Sequence, residues 1–348
     1  MSQEKFILPP EWAQQDAVLM AWPHAATDWN YILNDIQNCF VEIAKAIIKH
    51  ERLIIVAPDI DEPKQRLSTL PESNRISYFA APTNDTWARD FGAISVANAA
   101  GDIFSLDYRF NAWGLKFAAC HDNLINAALA KSGLFRNALI SKKDFVLEGG
   151  SIEADGNGTI LTTSECLLSP NRNPHLTQAQ IEQRLKSDFG AEKVLWLDFG
   201  YLAGDDTDSH IDTLARFAPN NTIVYAQCTD PNDEHFTQLS KMQSQLESFT
   251  NAKGEPYTLI PLPMPDAIID PDDEIRLPAT YANFLIVNGA VLVPTYNQPQ
   301  NDDLALQQIA KAFPNHDIVG IDCRPVIRQH GSLHCLTMQL PANSLRNE

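Results

Sequence analysis

The sequence lacks any apolar run of the roughly 20 residues that a bilayer-spanning helix requires. It also lacks the basic start and apolar stretch of a signal peptide, because the polar residues 1–5 are soon followed by Pro9 and Pro10. These two absences predict a cytoplasmic protein that has no membrane partner.

Basic residues are few: 26 lysines and arginines stand against 44 aspartates and glutamates, which gives a net charge of −18. A negatively charged surface repels nucleic acid and anionic membranes. It attracts small cations instead. The charge therefore predicts no nucleic-acid partner and favours a cationic substrate, although solubility alone also explains it.

The chain has no C-x-x-C pair, which argues against a cysteine-pair zinc site and a thioredoxin-type centre. Glycine-rich linkers and repeats at a fixed spacing are also missing. The six cysteines are scattered through the chain, at Cys39, Cys120, Cys166, Cys228, Cys323 and Cys335. In a reducing cytosol most of them are expected to be small buried residues.

Short apolar runs of strand length alternate with helix-like stretches from end to end, which predicts an α/β protein. Asp155–Gly158 predicts a hairpin turn, and Thr177 with Gln180 fits a capping box at a helix start. The proline-broken stretch Pro261–Pro278 is predicted to be one long ordered loop.

A cysteine nucleophile needs an acid–base partner. Cys335 precedes a predicted strand, and the edge between a loop and a strand is a place where a thiol can be exposed and rigid. His210 and Asp212 are two residues apart, so on a strand they would share one face. Taken singly, a buried structural cysteine and a surface histidine are the simpler explanations. Their presence together favours catalysis.

A competing interpretation is a metal site. Asp208, His210 and Asp212 fit the D-x-H-x-D spacing of manganese ligands in ureohydrolases such as agmatinase. Such a site needs further ligands, and the acidic run 270–274 is broken by Pro271 and does not resemble the second ligand motif of those enzymes. A metal-dependent ureohydrolase therefore stays an alternative.

Carboxylates suit a planar guanidinium, because they accept hydrogen bonds along its edges. Asp90, close to Trp87, and Asp212 are two carboxylates that would hold such a group with its carbon open to attack. An internal Arg89–Asp90 ion pair is an equally plausible explanation of the first segment.

Glu148 stands directly before Gly149 and Gly150, and paired glycines permit a close backbone approach or a positive φ. A glutamate at this position would orient the His210 imidazole. The simpler alternative is a β-bulge that carries an exposed glutamate.

Taken together, the segments resemble the agmatine deiminase family, within the guanidino-group-modifying superfamily that includes bacterial peptidyl-arginine deiminases. The resemblance runs from Pro9 to Thr337. It rests on these segments: Asn84–Gly92, Phe110–Gly114, Leu147–Ser151, Thr162–Leu168, Asn171–Pro174, Gly204–Asp212, Tyr281–Ile286 and His330–Thr337. Typical members have three glycines and an asparagine where this chain has residues 330–333, and a proline in place of Ala93.

The resemblance implies a pentein fold over residues 1–348, a single catalytic domain of five pseudo-symmetric strand–helix units around a central site. It implies that Cys335 attacks a guanidinium carbon and that His210 and Glu148 form the acid–base pair. Asp90 and Asp212 would bind the guanidinium, and Asp206 lies where the family has a further substrate-site aspartate. No metal or organic cofactor is implied.

The expected reaction is the hydrolysis of agmatine to N-carbamoylputrescine and ammonia, through a covalent amidino-thioether. A peptidyl-arginine or other guanidino deiminase, the metal ureohydrolase and a non-catalytic binder of a cationic metabolite are the alternatives. The group that recognises the substrate tail is open. Candidates are Asp85, Asp28 and aromatic residues such as Trp87 and Trp113. A homodimer is the ordinary expectation for a soluble enzyme.

Overall fold

The structure is a computed structural model that describes residues 6–346. Within that range the strands are β1 (Gln15–Ala21), β2 (Arg52–Ala57), β3 (Ile76–Ala80), β4 (Ile94–Ala97), β5 (Ile103–Arg109), β6 (Ile140–Val146), β7 (Ile152–Ala154), β8 (Thr159–Thr163), β9 (Lys193–Leu197), β10 (Ala215–Ala218), β11 (Thr222–Gln227), β12 (Thr258–Pro263), β13 (Leu285–Val287), β14 (Ala290–Thr295), β15 (Asp317–Asp322) and β16 (Thr337–Pro341). The helices are α1 (Leu33–Ile48), α2 (Asp61–Leu67), α3 (Ala88–Phe91), α4 (Ala112–Leu115), α5 (Ile125–Lys131), α6 (Ser164–Leu167), α7 (Gln178–Phe189), α8 (Phe236–Ser248) and α9 (Pro299–Ala312).

The strands form five small sheets with one shared pattern. In four of them, β4-β5-β6, β7-β8-β9, β10-β11-β12 and β13-β14-β15, the first pair is antiparallel and the second pair is parallel. The fifth sheet, β16-β1-β2-β3, repeats the pattern with the C-terminal strand β16 antiparallel to β1 and with β3 added beyond β2. This pairing closes the chain on itself.

Each unit is an antiparallel pair, which is a hairpin in four of the five, followed by a helical crossover to a parallel strand. A parallel strand cannot be reached by a tight turn, so a crossover is required, and α1, α5, α7, α8 and α9 lie in the five crossovers. Strands β2 and β14 are apolar except for one end residue each, Arg52 and Thr295, because both of their faces are buried. The predicted α/β pentein fold of five strand–helix units is confirmed.

Local sequence signals were accurate where short-range chemistry decides the structure. The Asp155–Gly158 turn joins β7 to β8, and Thr177 caps α7 in a reciprocal capping box with Gln180. The predicted loop Pro261–Pro278 is wrong at its start, because residues 261–263 form the end of β12 and pair with β11. Among residues 6–346, no helix combines the length and apolarity needed to cross a bilayer.

The residues that lead into the first strand of each unit carry the polar side chains of interest. Asp90 precedes β4, Gly150 precedes β7, Asp212 precedes β10, Asn283 precedes β13 and Cys335 precedes β16. Because the units repeat, these five lead-in segments occupy equivalent places. The repeat of the fold therefore brings together residues that lie up to 245 positions apart in the chain.

Candidate active site

The lead-in segments meet at Gly150. A methyl group added at this glycine would lie 2.6 Å from His210 Nδ1, 2.8 Å from Asp90 Oδ1 and 3.1 Å from Asp212 Oδ2. Three functional side chains from two other units therefore surround one backbone position. Only a residue without a side chain fits there, which explains the second glycine of the pair.

His210 and Asp212 were expected on a strand, and that expectation is wrong. Residues 211–213 form a 3-10 turn that His210 begins, and β10 starts only at Ala215. The turn nevertheless buries both side chains beside Asp90, with His210 Nδ1 3.6 Å from Asp90 Oδ1. The two residues share one buried cluster because of the turn geometry rather than because of strand alternation.

Asp90 is held by two hydrogen bonds from other segments of the chain. The Gly150 backbone N–H donates to its Oδ1 at 2.9 Å, and the Trp113 indole N–H donates to its Oδ2 at 2.9 Å. Burial raises the pKa of Asp90 to about 6, with Asp212 and Glu148 adding to the rise and His210 and Trp113 opposing it. Arg89 forms no pair with Asp90. It binds Glu11 and Gln339 instead.

Asp212 has one occupied and one open oxygen. Its Oδ2 accepts a hydrogen bond from His334 Nδ1 at 2.7 Å, whereas Oδ1 is buried without a hydrogen-bond partner. Burial raises the pKa of Asp212, but the hydrogen bond from His334 and the positive groups His210 and Arg216 outweigh it and lower the pKa below its ordinary value. The group is therefore a buried, ionised carboxylate with a free acceptor atom.

Among residues 6–346, neither ring nitrogen of His210 has a hydrogen-bond partner. Burial lowers the pKa of the imidazole, but the negative charge of Asp90, with that of Asp212, more than reverses this and raises the pKa well above its ordinary value. These carboxylates therefore favour the protonated ring. Unpaired buried polar atoms are rare in folded proteins, so the open atoms of His210 and Asp212 mark where a ligand is expected.

Cys335 lies against this cluster and is only 3% exposed, so the expected exposed thiol is in fact nearly buried at the base of a cavity. Its Sγ is 3.8 Å from Asp212 Oδ2 and 3.4 Å from Asn283 Oδ1. Burial, with the nearby carboxylates of Asp212 and Asp90, raises the pKa of the thiol well above its usual range. A cation placed beside the sulfur would lower it again.

Glu148 is fully buried but does not hydrogen-bond to His210. Both of its carboxylate oxygens accept from Arg172 Nε, at 2.9 and 3.0 Å, and Arg172 also pairs with Asp208 at 2.5 Å. The expected direct orientation of the imidazole by Glu148 is therefore not seen. Arg172, which sequence reasoning assigned no role, fixes the glutamate close to His210.

The D-x-H-x-D ligand set is not assembled either. Asp208 binds Lys116 and Arg172, away from the His210–Asp212 pair. Glu148, Cys166 and His210 do present ligand atoms within 4.8 Å of one another. Any metal there would have to compete with the Arg172 guanidinium for Glu148.

The cavity above Cys335 has a volume of about 560 Å³, a size typical of small-molecule sites. Aromatic and acidic residues make up much of its lining. The aromatic residues are Trp87, Phe110, Trp113 and Phe117, and the acidic residues are Asp28, Asp85, Asp90, Asp122, Asp205 and Asp206. None of the residues that line it, all in the described range, is a lysine or an arginine.

Two of the acidic residues proposed from the sequence have raised pKa values. Burial raises the pKa of Asp85 to about 7, with Asp28 and Asp122 adding to it, although Asp85 accepts hydrogen bonds from Thr86 N and Trp87 Nε1. Burial and Asp205 raise the pKa of Asp206 to about 6. Carboxylates that are desolvated and crowded in this way are stabilised by an incoming cation.

Trp113 owes its position to an unusual backbone. All four residues of α4 have positive φ, 52° at Ala112, 55° at Trp113, 85° at Gly114 and 69° at Leu115, so this segment is a left-handed turn. For residues other than glycine such a conformation costs roughly 1–2 kcal/mol each. The turn aims the indole N–H at Asp90, and no sequence pattern indicated it.

Comparison with known proteins gives a family match over most of the chain. The model of the Porphyromonas-type peptidyl-arginine deiminase family matches residues 7–341. The chain belongs to this family. The agmatine deiminase of Pseudomonas syringae pv. syringae is 34% identical over 97% of this chain and 96% of its own length.

Solved structures of the family share the fold. A cysteine-to-serine variant of the C. jejuni agmatine deiminase with substrate bound is 40% identical, with a TM-score of 0.92 and 99% of each chain covered. A Porphyromonas gingivalis structure, provisionally named an arginine deiminase, is 51% identical, with a TM-score of 0.92 and coverage of 98% of this chain and 100% of that one. The expected family and the expected agmatine deiminase-like hydrolase of guanidino C–N bonds are confirmed.

Proposed function

We propose that the protein hydrolyses agmatine to N-carbamoylputrescine and ammonia, with Cys335 as the nucleophile. The observation that carries this proposal is the pair of buried carboxylates beside the sulfur. Asp212 Oδ2 lies 3.8 Å from Cys335 Sγ, the charge of Asp90 contributes to the raised pKa of the thiol, and no lysine or arginine is among the described residues that line the cavity. A planar cation is the ligand that such a pair of carboxylates would hold.

Binding places the guanidinium between Asp90 and Asp212, with its carbon above Cys335 Sγ. The cation offsets the two carboxylates that raise the thiol pKa, so substrate binding itself favours the thiolate. The two carboxylates keep the guanidinium plane fixed. Positioning and electrostatic stabilisation of this kind are the main sources of rate enhancement in such sites.

The first chemical step forms a carbon–sulfur bond and breaks a carbon–nitrogen bond. The Cys335 thiolate attacks the guanidinium carbon, and the His210 imidazolium gives its proton to the departing nitrogen, which leaves as ammonia. A covalent amidino-thioether and a neutral imidazole remain. The raised pKa of His210 suits it to act as the acid in this step.

The second step reverses the role of His210. The neutral imidazole takes one proton from water as the water oxygen attacks the same carbon. The thiolate leaves to regenerate Cys335, and the second water proton passes to the released ammonia as the carbonyl forms, which gives ammonium. Glu148, fixed by Arg172, keeps negative charge near the ring in both steps.

The cavity mouth favours agmatine over arginine. The α-carboxylate of arginine would face Asp28, Asp85, Asp122 and Asp206 without a lysine or arginine in the lining to neutralise it. A primary amine in the same place is attracted. Asp85 and Asp206, with the faces of Trp87 and Trp113, are the groups that we assign to the substrate tail.

A substrate screen tests the proposal. Ammonia release should be fast with agmatine and at least about 10²-fold slower in kcat/KM with free arginine or a blocked arginyl peptide, since an unpaired like charge in a binding site costs roughly several kcal/mol. The product should be N-carbamoylputrescine, and activity should persist in a chelator. Urea release, or dependence on added metal, would favour the ureohydrolase instead.

A second prediction concerns Trp113→Phe and pH. Because Asp90 must be ionised to hold the cation, kcat/KM should fall as the pH drops through about 6, the value to which burial raises the Asp90 pKa. Loss of the indole donor destabilises the ionised form, so in the variant this acidic limb should move to higher pH by about one unit. A pH profile of kcat/KM checks this, and an unmoved limb would remove Asp90 from the explanation.

We also propose a domain organisation, a cellular location and a consuming reaction for the product. The chain acts as one catalytic domain, it works in the cytoplasm, and its product is consumed by a reaction that releases putrescine. The family match and the reaction class support these assignments. A homodimer and the absence of a nucleic-acid or membrane partner stay predictions.

A further inference from the structure

His334 is adjacent to the nucleophile in sequence, but the proposed reaction leaves it without a role. Its side chain is fully buried, and its Nδ1 lies 2.7 Å from Asp212 Oδ2. Its Nε2 lies 2.9 and 3.0 Å from the two oxygens of Glu11 and 3.0 Å from an Arg216 nitrogen. The imidazole thus connects the substrate-facing carboxylate to a polar network behind it.

This contact matters because the two carboxylate oxygens of Asp212 have different hydrogen-bonding environments. A carboxylate accepts hydrogen bonds at both oxygens and turns readily about its terminal torsion. The His334 N–H occupies Oδ2, which leaves Oδ1 unpaired and available. Without this donor, the buried carboxylate would lose a hydrogen bond to its charged form and would be free to turn Oδ1 away.

The imidazole is itself fixed from several sides. The backbone N–H of His334 donates to Asn283 Oδ1 at 2.9 Å, and that same oxygen lies 3.4 Å from Cys335 Sγ. Behind the ring, Glu11 also pairs with Arg89 at 3.1 Å and with Arg216 at 2.6 Å. The ring therefore cannot shift without breaking contacts to Asp212, Glu11 or Arg216.

The geometry points to His334 as a positioning residue that fixes the orientation of the Asp212 carboxylate beside Cys335, where the substrate guanidinium would bind. One peptide unit carries both His334 and Cys335, so the same backbone sets the positions of the thiol and of the carboxylate. The inference rests on the proposed deiminase function, because it assigns Asp212 to the substrate cation. It predicts an effect mainly on substrate binding, since His334 touches no reacting atom.

Substitutions at position 334 separate this role from a general structural one. Asparagine places an amide N–H where Nδ1 stands, and glutamine places one where Nε2 stands, toward Glu11. We expect His334→Asn to keep KM for agmatine within about threefold of the parent. His334→Gln and His334→Ala should each raise KM on the order of 10- to 100-fold, as expected for a lost hydrogen bond to a buried charge.

Stability is measured in parallel to interpret these values. His235 is a matched control, a buried histidine bonded to Asp233 at 2.6 Å without contact to Asp212. His235→Asn should lower the melting temperature but leave KM within about twofold.

If His334→Asn and His334→Gln have equal KM values, the positioning role is wrong. If the parent protein fails to act on agmatine, the proposed function fails instead, so the two outcomes are distinguishable.

Discussion

Replacement of Cys335 by alanine is expected to reduce agmatine hydrolysis at least about 10⁴-fold, as loss of a nucleophile does in other covalent enzymes. The thiol forms the bond that replaces the carbon–nitrogen bond, and among the described residues that line the cavity Cys335 is the only cysteine. Steady-state ammonia release measures the effect.

Substrate binding should survive the same change. Asp90, His210 and Asp212 are untouched, so agmatine should still raise the melting temperature of Cys335→Ala through ligand linkage. Cys228→Ala is a control, because Cys228 is buried in a separate apolar cluster and should be replaceable without loss of activity. Activity of Cys335→Ala within tenfold of the parent would refute the nucleophile assignment.

Replacement of His210 by asparagine is expected to lower kcat by about 10²- to 10⁴-fold, the usual contribution of a general acid–base group. Both proton transfers are then lost. KM should change little or fall, because the imidazolium that repels the guanidinium is gone. The kcat and KM values for agmatine, measured separately, check this prediction.

His316, which does not line the cavity, is the control for His210. His316 is partly exposed, and its substitution by asparagine should leave both constants near those of the parent protein. If His210→Asn raises KM greatly while kcat stays unchanged, the residue is a binding group and the acid–base assignment is wrong.

The sequence was most informative where local chemistry decides the outcome. The Asp155–Gly158 turn and the Thr177 cap follow from residues within a few positions of each other, so they could be predicted directly. The set Asp90, His210, Asp212 and Cys335 came from unusual clusters of reactive residues and from family resemblance. Asp90, His210 and Asp212 converge on Gly150, and Cys335 Sγ lies 3.8 Å from Asp212, so the four residues are neighbours. Their catalytic roles stay predictions.

Long-range partners could not be predicted in the same way. Glu11 and His334 are 323 positions apart, and nothing in either segment shows that they meet. Trp113 was suggested as a tail-binding residue, but its indole bond to Asp90 depends on a left-handed turn that propensities disfavour. The direction of the Glu148 carboxylate was missed for a similar reason, because its partner Arg172 comes from another segment.

The central claim is a covalent bond between Cys335 and the guanidinium carbon. Rapid acid quenching of the enzyme during agmatine turnover, followed by mass spectrometry of its peptides, tests it directly. We predict an amidine adduct on the peptide that contains Cys335 and on no other cysteine peptide. An enzyme that releases ammonia at full rate but never carries this adduct, even when the quench is faster than turnover, would contradict the account.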